Sequence, residues 1–233
     1  MFFILDVVKV LASYLLGSLI GSLIVGKLRG GVDIRTLGSG NAGGTNALRT
    51  QGKWFALCVM VIDVGKGIVA TYVIARLPTY HFLQPPWAKA GSTVIGTLNA
   101  GYYSPWLPVV CGLAVILGHV YPIWFGFRGG KGVATLVGVV LALSSQLLLV
   151  VLVVWLAMVV LFGYVSLASI VATMSIAVWV GVTQPEPFGL LLLFGAVAAV
   201  LIAFTHRSNL ARIGAGTEPR ARRLWLLGRR RAS

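Results

Sequence analysis

Long apolar runs recur along this chain with only short polar stretches between them, and nothing else in the sequence narrows the fold so far. A helix that crosses a bilayer needs roughly 20 mostly apolar residues, and shorter ones serve where they end in a buried loop. Runs of this kind cover residues 6–28, 54–77, 107–124, 132–145, 146–162, 164–183 and 188–205. The pattern predicts an all-α integral membrane protein with about seven transmembrane helices. One membrane-embedded domain is expected over residues 1–233, ending in a short basic tail over about 219–233. Only Ser144-Ser145-Gln146 separates the fourth run from the fifth, whereas Thr183-Gln184-Pro185-Glu186-Pro187 reads as a turn.

Composition excludes the soluble alternative. Charged residues make up 10% of the chain and hydrophobic ones 58%, against roughly 25% charged in soluble domains. The formal net charge of +14 would suggest nucleic acid in a soluble protein, but here the placement of the charge matters more than its sum, and no nucleic acid is expected. Lys27, Arg29 and Arg35 follow the first apolar run. A secretory signal carries its charge before the apolar core, so this run reads as a retained anchor with its N-terminus outside. Seven spans then place Lys27, Arg29, Arg35, Arg49, Lys53, Arg128, Lys131 and every basic residue from Arg207 onward on one side, leaving Lys9, Arg76 and Lys89 on the other. The positive-inside rule makes the first side, with the C-terminus, cytoplasmic.

Several features read as structure. Cys58 and Cys111 lie inside apolar runs as small hydrophobes, and they suggest neither a disulfide framework nor a metal site. Five acidic residues and three histidines leave few ligands for a catalytic metal, and no cofactor is expected. Gly17 and Gly21 form a GxxxG pair in the first span, a close-packing face for a neighbouring helix. Residues 86–105 hold Ser92, Thr93, Thr97 and Asn99 and suggest an interfacial or re-entrant segment on the outer side. Over residues 220–231 arginine clusters alternate with Leu224-Trp225-Leu226-Leu227. Two readings stay open there: an amphipathic helix on anionic lipid, or a positive-inside stop anchor.

Three polar stretches interrupt the apolar runs on the basic side. The first, Gly38-Ser39-Gly40-Asn41-Ala42-Gly43-Gly44-Thr45-Asn46-Ala47-Leu48-Arg49, contains GxGxxG. No βαβ pattern surrounds it, and Asp63, at the dinucleotide-acid distance, sits inside an apolar run, so that match is accidental. Its small residues let backbone N–H groups turn toward an anion, with hydroxyl, amide and guanidinium donors beside them. The second runs from Gly118-His119-Val120-Tyr121-Pro122 to Phe125-Gly126-Phe127-Arg128-Gly129-Gly130-Lys131-Gly132. It fails as a phosphate-binding Walker loop, because Gly126 is one residue too close and Gly132 replaces the Ser or Thr. What remains is a cationic glycine turn leading into a helix N-terminus, a place suited to phosphate. The third is His206-Arg207-Ser208-Asn209, with Glu218 and Arg220 beyond. Asp63 and Lys66, three apart inside the second run, can meet on one helix face, either as a functional pair or as a structural one.

These three stretches, in this order, resemble the bacterial acyl-phosphate-dependent glycerol-3-phosphate acyltransferases. The resemblance runs from the first span through Glu218. It is carried by GSGNAGGTNALR, GHVYPIWFGFRGGKGVAT and HRSNLARIGAGTEPR, with DVGKG at Asp63–Gly67 resembling the family's second helix. Ala42 and Gly44 stand where Pro and Ala are commoner, Arg128 replaces a frequent Lys, and residues 86–105 look like an insertion. The resemblance implies transfer of a fatty acyl group from acyl phosphate to the 1-hydroxyl of glycerol 3-phosphate, giving 1-acyl-glycerol 3-phosphate and phosphate at the bacterial cytoplasmic (inner) membrane. By motif position, Ser39, Arg49, His206 and Asn209 would be essential for catalysis. Gly40, Asn41, Thr45, Asn46, His119, Arg128, Gly129, Gly130, Lys131 and Gly132 would bind substrate, and Glu218, Asp63 and Lys66 would be structural. Acyl phosphate, glycerol 3-phosphate and the lipid bilayer are the implied partners. None of His81, His119 or His206 has Asp five residues on, so the HxxxxD motif of the other glycerolipid acyltransferases is absent. Without the resemblance, an organic-phosphate transporter ranks level with an enzyme, and a lipid-binding scaffold is a third reading.

Overall fold

The computed structural model describes residues 2–77, 104–183, 189–222 and 224–226. The segment expected over 86–105, except its last two residues, the turn over 184–187 and most of the tail beyond 222 lie outside these. The described residues form helices and connecting turns, with no strand among them. In chain order they are α1 (Phe2–Gly17), α2 (Gly21–Leu28), α3 (Gly44–Gln51), α4 (Lys53–Ile68) with a π-helical turn at Val69–Ile74, α5 (Leu107–Val120), α6 (Val133–Leu143), α7 (Ser145–Phe162), α8 (Val165–Thr183), α9 (Leu190–Thr205) and α10 (Arg207–Gly214).

Four unbroken helical stretches are long and apolar enough to cross a membrane: Lys53–Ile74, Leu107–Phe125, Ser145–Phe162 and Val165–Thr183. Two more are bent pairs, Ile4–Gly17 with Gly21–Leu28 at 50° and Leu190–Thr205 with Arg207–Gly214 at 59°, and Val133–Leu143 is a shorter apolar helix. The first run is therefore not the continuous helix its hydropathy predicts. It breaks at Ser18–Ile20, where Ile20 is extended (φ −83°, ψ 115°). Gly17 and Gly21 end up on two different helices, Gly17 against the Val115 backbone and Gly21 against Val59 and Asp63. The indistinct fourth boundary resolves at Ser144, extended at φ −163°, whose hydroxyl accepts from the Leu147 N–H and starts α7.

Backbones approach closely where glycine allows it. Gly118 of α5 meets Tyr14 O, opposite Gly17, and across α4 and α6 Gly67 meets Thr135 O while Gly138 meets Val64 O. Such small-residue crossings give helices in lipid the van der Waals contact that holds them together. The main core, including Val115, Ile116, Leu136, Val139, Ile176, Phe194 and Ile202, lies between α5, α6, α8 and α9. Leu149 on α7 is 65% exposed and Val200 on α9 72% exposed. Large apolar side chains presented outward in this number fit a hydrocarbon surround.

Candidate active site

The first polar stretch is shaped by Asn46, which is 1% exposed. Its Nδ2 group donates to the carbonyls of Ile34, Leu37 and Asn41, each at 3.0 Å, and its Oδ1 accepts from the Ser39 N–H at 3.0 Å. One amide thus folds the loop around itself, with its donors and acceptor engaged by backbone. Gly38 turns there at φ +57°, with Asn46 Oδ1 where a Cβ would be. Ser39, Gly40 and Thr45 are left exposed on the loop and Asn41 half-buried, while Arg49 projects from α3 one helical turn after Thr45. Among the described residues, the Arg49 side chain has no hydrogen bond or ion pair.

This loop is tied to the second stretch. Ser22 Oγ donates to Ala42 O at 2.8 Å, and Ala42 packs with Ile20, Leu23 and Phe125. Arg35 forms a forked pair with Asp33 (Nη2 to Oδ2 2.7 Å, Nε to Oδ1 3.0 Å) and donates through Nη1 to the carbonyls of Phe125 at 3.2 Å and Arg128 at 3.1 Å. The hydrogen-bonded pair lowers the Asp33 pKa and raises that of Arg35. Sequence reading counted Arg35 only as a topology charge. Its spacing two residues after Asp33 is the signal that a fork was available.

The second stretch folds back on the end of α5. Phe127 N donates to Pro122 O at 2.9 Å, Gly129 N to Val120 O at 3.2 Å and Gly130 N to His119 O at 3.1 Å. Gly126 and Phe127 both take positive φ, +64° and +58°, and a bulky residue there is a strained turn position. A Cβ on Gly129 would run into His119 O, and one on Gly130 into His119 Nε2. Gly129 and Gly130 therefore serve close approach, since their N–H groups are already taken, and Gly132, left-handed at φ +85°, starts α6. Arg128 stands exposed.

His119 itself is 2% exposed and points inward. Its Nδ1 lies 2.9 Å from Lys66 Nζ and 3.4 Å from Asp63 Oδ1. The motif leads to the expectation that His119 binds substrate, and the structure places its ring among buried charged groups. Lys66 also meets Asp63 Oδ1 at 2.9 Å and donates to the carbonyls of Gly17 at 3.0 Å and Leu19 at 2.8 Å, while Gly21 N donates to Asp63 Oδ1 at 3.2 Å. The pair supplies partners to backbone groups that the break between α1 and α2 frees, as a bundle in lipid requires.

The third stretch meets the second directly. Lys131 Nζ donates to Asn209 Oδ1, and Thr205 Oγ1 donates to Lys131 O at 3.2 Å. Asn209 passes the contact on, its Nδ2 donating to Glu218 Oε1 at 2.7 Å. Glu218 is fully engaged: Oε1 also accepts from Ser166 Oγ at 2.8 Å, and Oε2 from Arg212 Nε at 2.8 Å. Hydrogen bonds from Asn209, Ser166 and Arg212 outweigh partial burial and hold its carboxyl below the usual range. Burial lowers the Lys131 pKa to about 8, against the attraction of Glu218 and with the repulsion of Arg212. His206 stands at the corner between α9 and α10, 4% exposed, its Nδ1 2.8 Å from Ile202 O. A carbonyl accepts only, so the proton is assigned to Nδ1, leaving the Nε2 lone pair free. Burial, with Lys131 nearby, drops its pKa to about 4 despite that bond, so the ring is neutral at pH 7.

The structure thus joins Lys131, Asn209 and Glu218 in one side-chain network, ties His206 to it through the Asn209 N–H that its carbonyl accepts, and packs Ala42 of the Ser39–Arg49 loop against Phe125 ahead of the Lys131 turn. Among the described residues, no hydrogen bond or ion pair joins Ser39 or Arg49 to Lys131, His206 or Asn209. No three His, Cys, Asp or Glu side chains gather among the described residues as metal ligands would. Ser166, Thr205 and Arg212 were missed from sequence, and Ser166 had no signal beyond being a hydroxyl in an apolar run. A cleft of about 230 Å³ between Ser144, Gln146, Trp179 and Leu191 lies at the far end of α7 and shares no residue with the three stretches.

A bundle of apolar helices with cationic, hydroxyl and amide groups collected at one end defines a membrane protein built to handle an anionic small molecule beside lipid. The family model for glycerol-3-phosphate acyltransferase matches residues 7–216. The chain is 39% identical over 212 residues to a glycerol-3-phosphate acyltransferase of Nostoc sp., covering 91% of this chain and 89% of that one. It is 35% identical over 205 residues to one from Mesorhizobium japonicum, covering 88% and 90%. Two crystal structures of PlsY, an integral membrane glycerol 3-phosphate acyltransferase, superpose on it over 92% of this chain and 94% of theirs. The glycerol 3-phosphate form does so with TM-score 0.74 at 37% identity, the lysophosphatidic acid form with 0.72 at 36%. The chain belongs to the glycerol-3-phosphate acyltransferase family, and it is a multi-pass membrane acyltransferase.

Proposed function

We propose that this chain transfers a fatty acyl group from acyl phosphate to the 1-hydroxyl of glycerol 3-phosphate, releasing 1-acyl-glycerol 3-phosphate and inorganic phosphate. The observation that carries this reading is the Lys131–Asn209–Glu218 relay, which holds one ammonium beside a neutral histidine. Lys131, at the glycine turn of residues 129–132, grips the phosphate of glycerol 3-phosphate, and exposed Arg128 adds charge. Ser39, with Gly40, Asn41 and Thr45 beside it, and Arg49 bring the donor's phosphate and carbonyl into line. Asn46 contributes by holding the loop in shape.

The 1-hydroxyl oxygen attacks the acyl carbonyl carbon, the bond from that carbon to the phosphate oxygen breaks, and the hydroxyl proton must be taken up. A histidine with pKa about 4 is a weak base, whereas a phosphate monoester has a second pKa near 6. The departing phosphate is therefore the better proton acceptor, and His206 Nε2 orients the hydroxyl by accepting its hydrogen bond. Acyl phosphate is a mixed anhydride with a good leaving group, so positioning and charge stabilisation can carry the rate.

One membrane-embedded domain spans the chain in this reading. It crosses the bacterial inner membrane seven times, with the N-terminus outside and the site facing the cytoplasm, on the side rich in Lys and Arg. Two experiments test these statements. Purified protein given glycerol 3-phosphate should release inorganic phosphate from acyl phosphate and give no product from acyl-CoA or acyl carrier protein. Cysteines placed near Ser39, Gly130 and Ser208 should react with impermeant thiol reagents from the cytoplasmic side only, and one near Glu186 only from outside. Equal turnover with acyl-CoA, or Ser39 and Ser208 on opposite faces, defeats the reading.

A further inference from the structure

Asp63, Lys66 and His119 are buried to 0%, 5% and 2% exposure and touch no group that the reaction uses. Ion pairs this deep are costly to bury. Part of their reason is the break in the first helix, whose carbonyls at Gly17 and Leu19 Lys66 covers while Asp63 covers the Gly21 N–H. That need is met without His119. An ammonium has three protons, and two carbonyls and Asp63 Oδ1 already accept them. Yet His119 Nδ1 lies 2.9 Å from the same ammonium and 3.4 Å from Asp63 Oδ1. That nitrogen therefore faces both members of the pair, which leaves Nε2 on the opposite edge of the ring. That edge of the ring is the one against Gly130, in the space a Cβ there would fill, and Gly130 N donates to the His119 carbonyl. The next residue is Lys131.

The other arm of the trio leads to the other loop. Gly21 is held by Asp63, and the adjacent Ser22 hydroxyl holds Ala42 in the Ser39–Arg49 loop at 2.8 Å. We propose that Asp63, Lys66 and His119 form a positioning joint, with His119 setting where Lys131 stands relative to the loop that carries Ser39 and Arg49. The proposal rests on the reading that Lys131 grips the phosphate of glycerol 3-phosphate. A shift of about 1 Å at a binding group costs up to a hundredfold. A purely structural trio would change only the amount or stability of folded protein.

The test uses the full-length protein in detergent, with steady-state kinetics on monodisperse fractions. His119→Ala should raise KM for glycerol 3-phosphate about tenfold with a smaller change in kcat and none in KM for the acyl donor. Gly130→Ala should do the same, because its methyl displaces the turn from the ring. The double variant should be no worse than the poorer single one, since the methyl then occupies the vacated ring volume. His119→Asn returns an acceptor to Lys66 without the edge that meets Gly130, so it should recover melting temperature but not KM. It also carries the test if His119→Ala does not fold. Additive effects in the double variant, or unchanged KM with only a lowered melting temperature, overturn the joint. Lys131→Ala separates the two claims. If it leaves KM unchanged, the phosphate grip falls and the joint with it; if it raises KM and His119→Ala does not, the joint alone falls.

Discussion

Glu218→Gln probes the electrostatics of the site without touching a group that meets substrate. Lys131 has its pKa lowered to about 8 by burial, and Glu218 opposes that shift. Asn209 bridges the two, accepting from the ammonium and donating to the carboxylate, which sets the charges roughly 7 Å apart, two hydrogen bonds and one amide. Opposite unit charges at about 7 Å attract by roughly 2.4 kcal/mol at an effective dielectric of about 20, or about 1.7 pK units. Lys131 is only partly buried, and screening reduces this to about one unit. The sign follows from the chemistry. Lys131 is charged below its pKa and loses its charge as pH rises through it, so KM for glycerol 3-phosphate should stay flat up to about pH 8 and then climb up to tenfold per pH unit. In Glu218→Gln the climb should begin about one unit lower. KM measured between pH 7 and 10 lies above the substrate's own phosphate titration near pH 6. An inflection at the same pH in both proteins, or one that persists in Lys131→Ala, refutes the assignment.

Three further outcomes follow from the same geometry. His206 is neutral when folded, with pKa about 4, against about 6.5 unfolded; stability should be complete above pH 6.5 and fall by up to about 3 kcal/mol toward pH 4, and His206→Asn should flatten that fall in melting temperature. Alanine at Ser39, Arg49 or Asn209 should lower kcat strongly in folded protein, and Arg49→Lys should not restore it, because a point charge lacks the planar fork; near-normal kcat in any of them removes that residue from the mechanism. In the tail, Arg220 lies between the rings of Tyr164 and Trp225 at 4.6 and 4.0 Å, and Trp225 Nε1 donates to Leu161 O at 3.1 Å, so Trp225→Ala should cost about 2 kcal/mol and lower the melting temperature by several degrees.

The apolar helices were legible because hydropathy reports what lipid requires, a helix with every backbone group satisfied. The two bends were not. Hydropathy does not register a break whose freed carbonyls find a lysine 47 and 49 residues away in sequence, as those of Leu19 and Gly17 find Lys66. The Asp63–Lys66 spacing showed that the two could pair. It did not show that the pair closes a helix break, because that depends on α4 crossing beside residues 17–21.

Much the same separates the site residues whose surroundings were legible in the sequence from those whose surroundings were not. Lys131 comes from the second stretch and Asn209 and Glu218 from the third, and residue type was enough to mark each as a polar group near a helix end. Asn46 and His119 looked equally like substrate ligands, since an amide and an imidazole in glycine-rich loops carry the same chemistry whether they face a ligand or the backbone. What distinguishes them is the set of partners each faces, because Asn209 and His206 are buried as well. Asn46 is surrounded by the four backbone groups it bonds, and His119 by an ammonium, a carboxylate and the glycine turn. A glycine-rich loop needs such a side chain, because a segment with few Cβ atoms cannot hold its shape by packing alone. The polar residue that looks most like a ligand in a loop of this kind is thus a natural candidate for its internal brace. In this chain the groups proposed for substrate are mostly those the loops do not bond themselves, Ser39, Thr45, Arg49 and Arg128, whereas the ammonium of Lys131 is shared with Asn209.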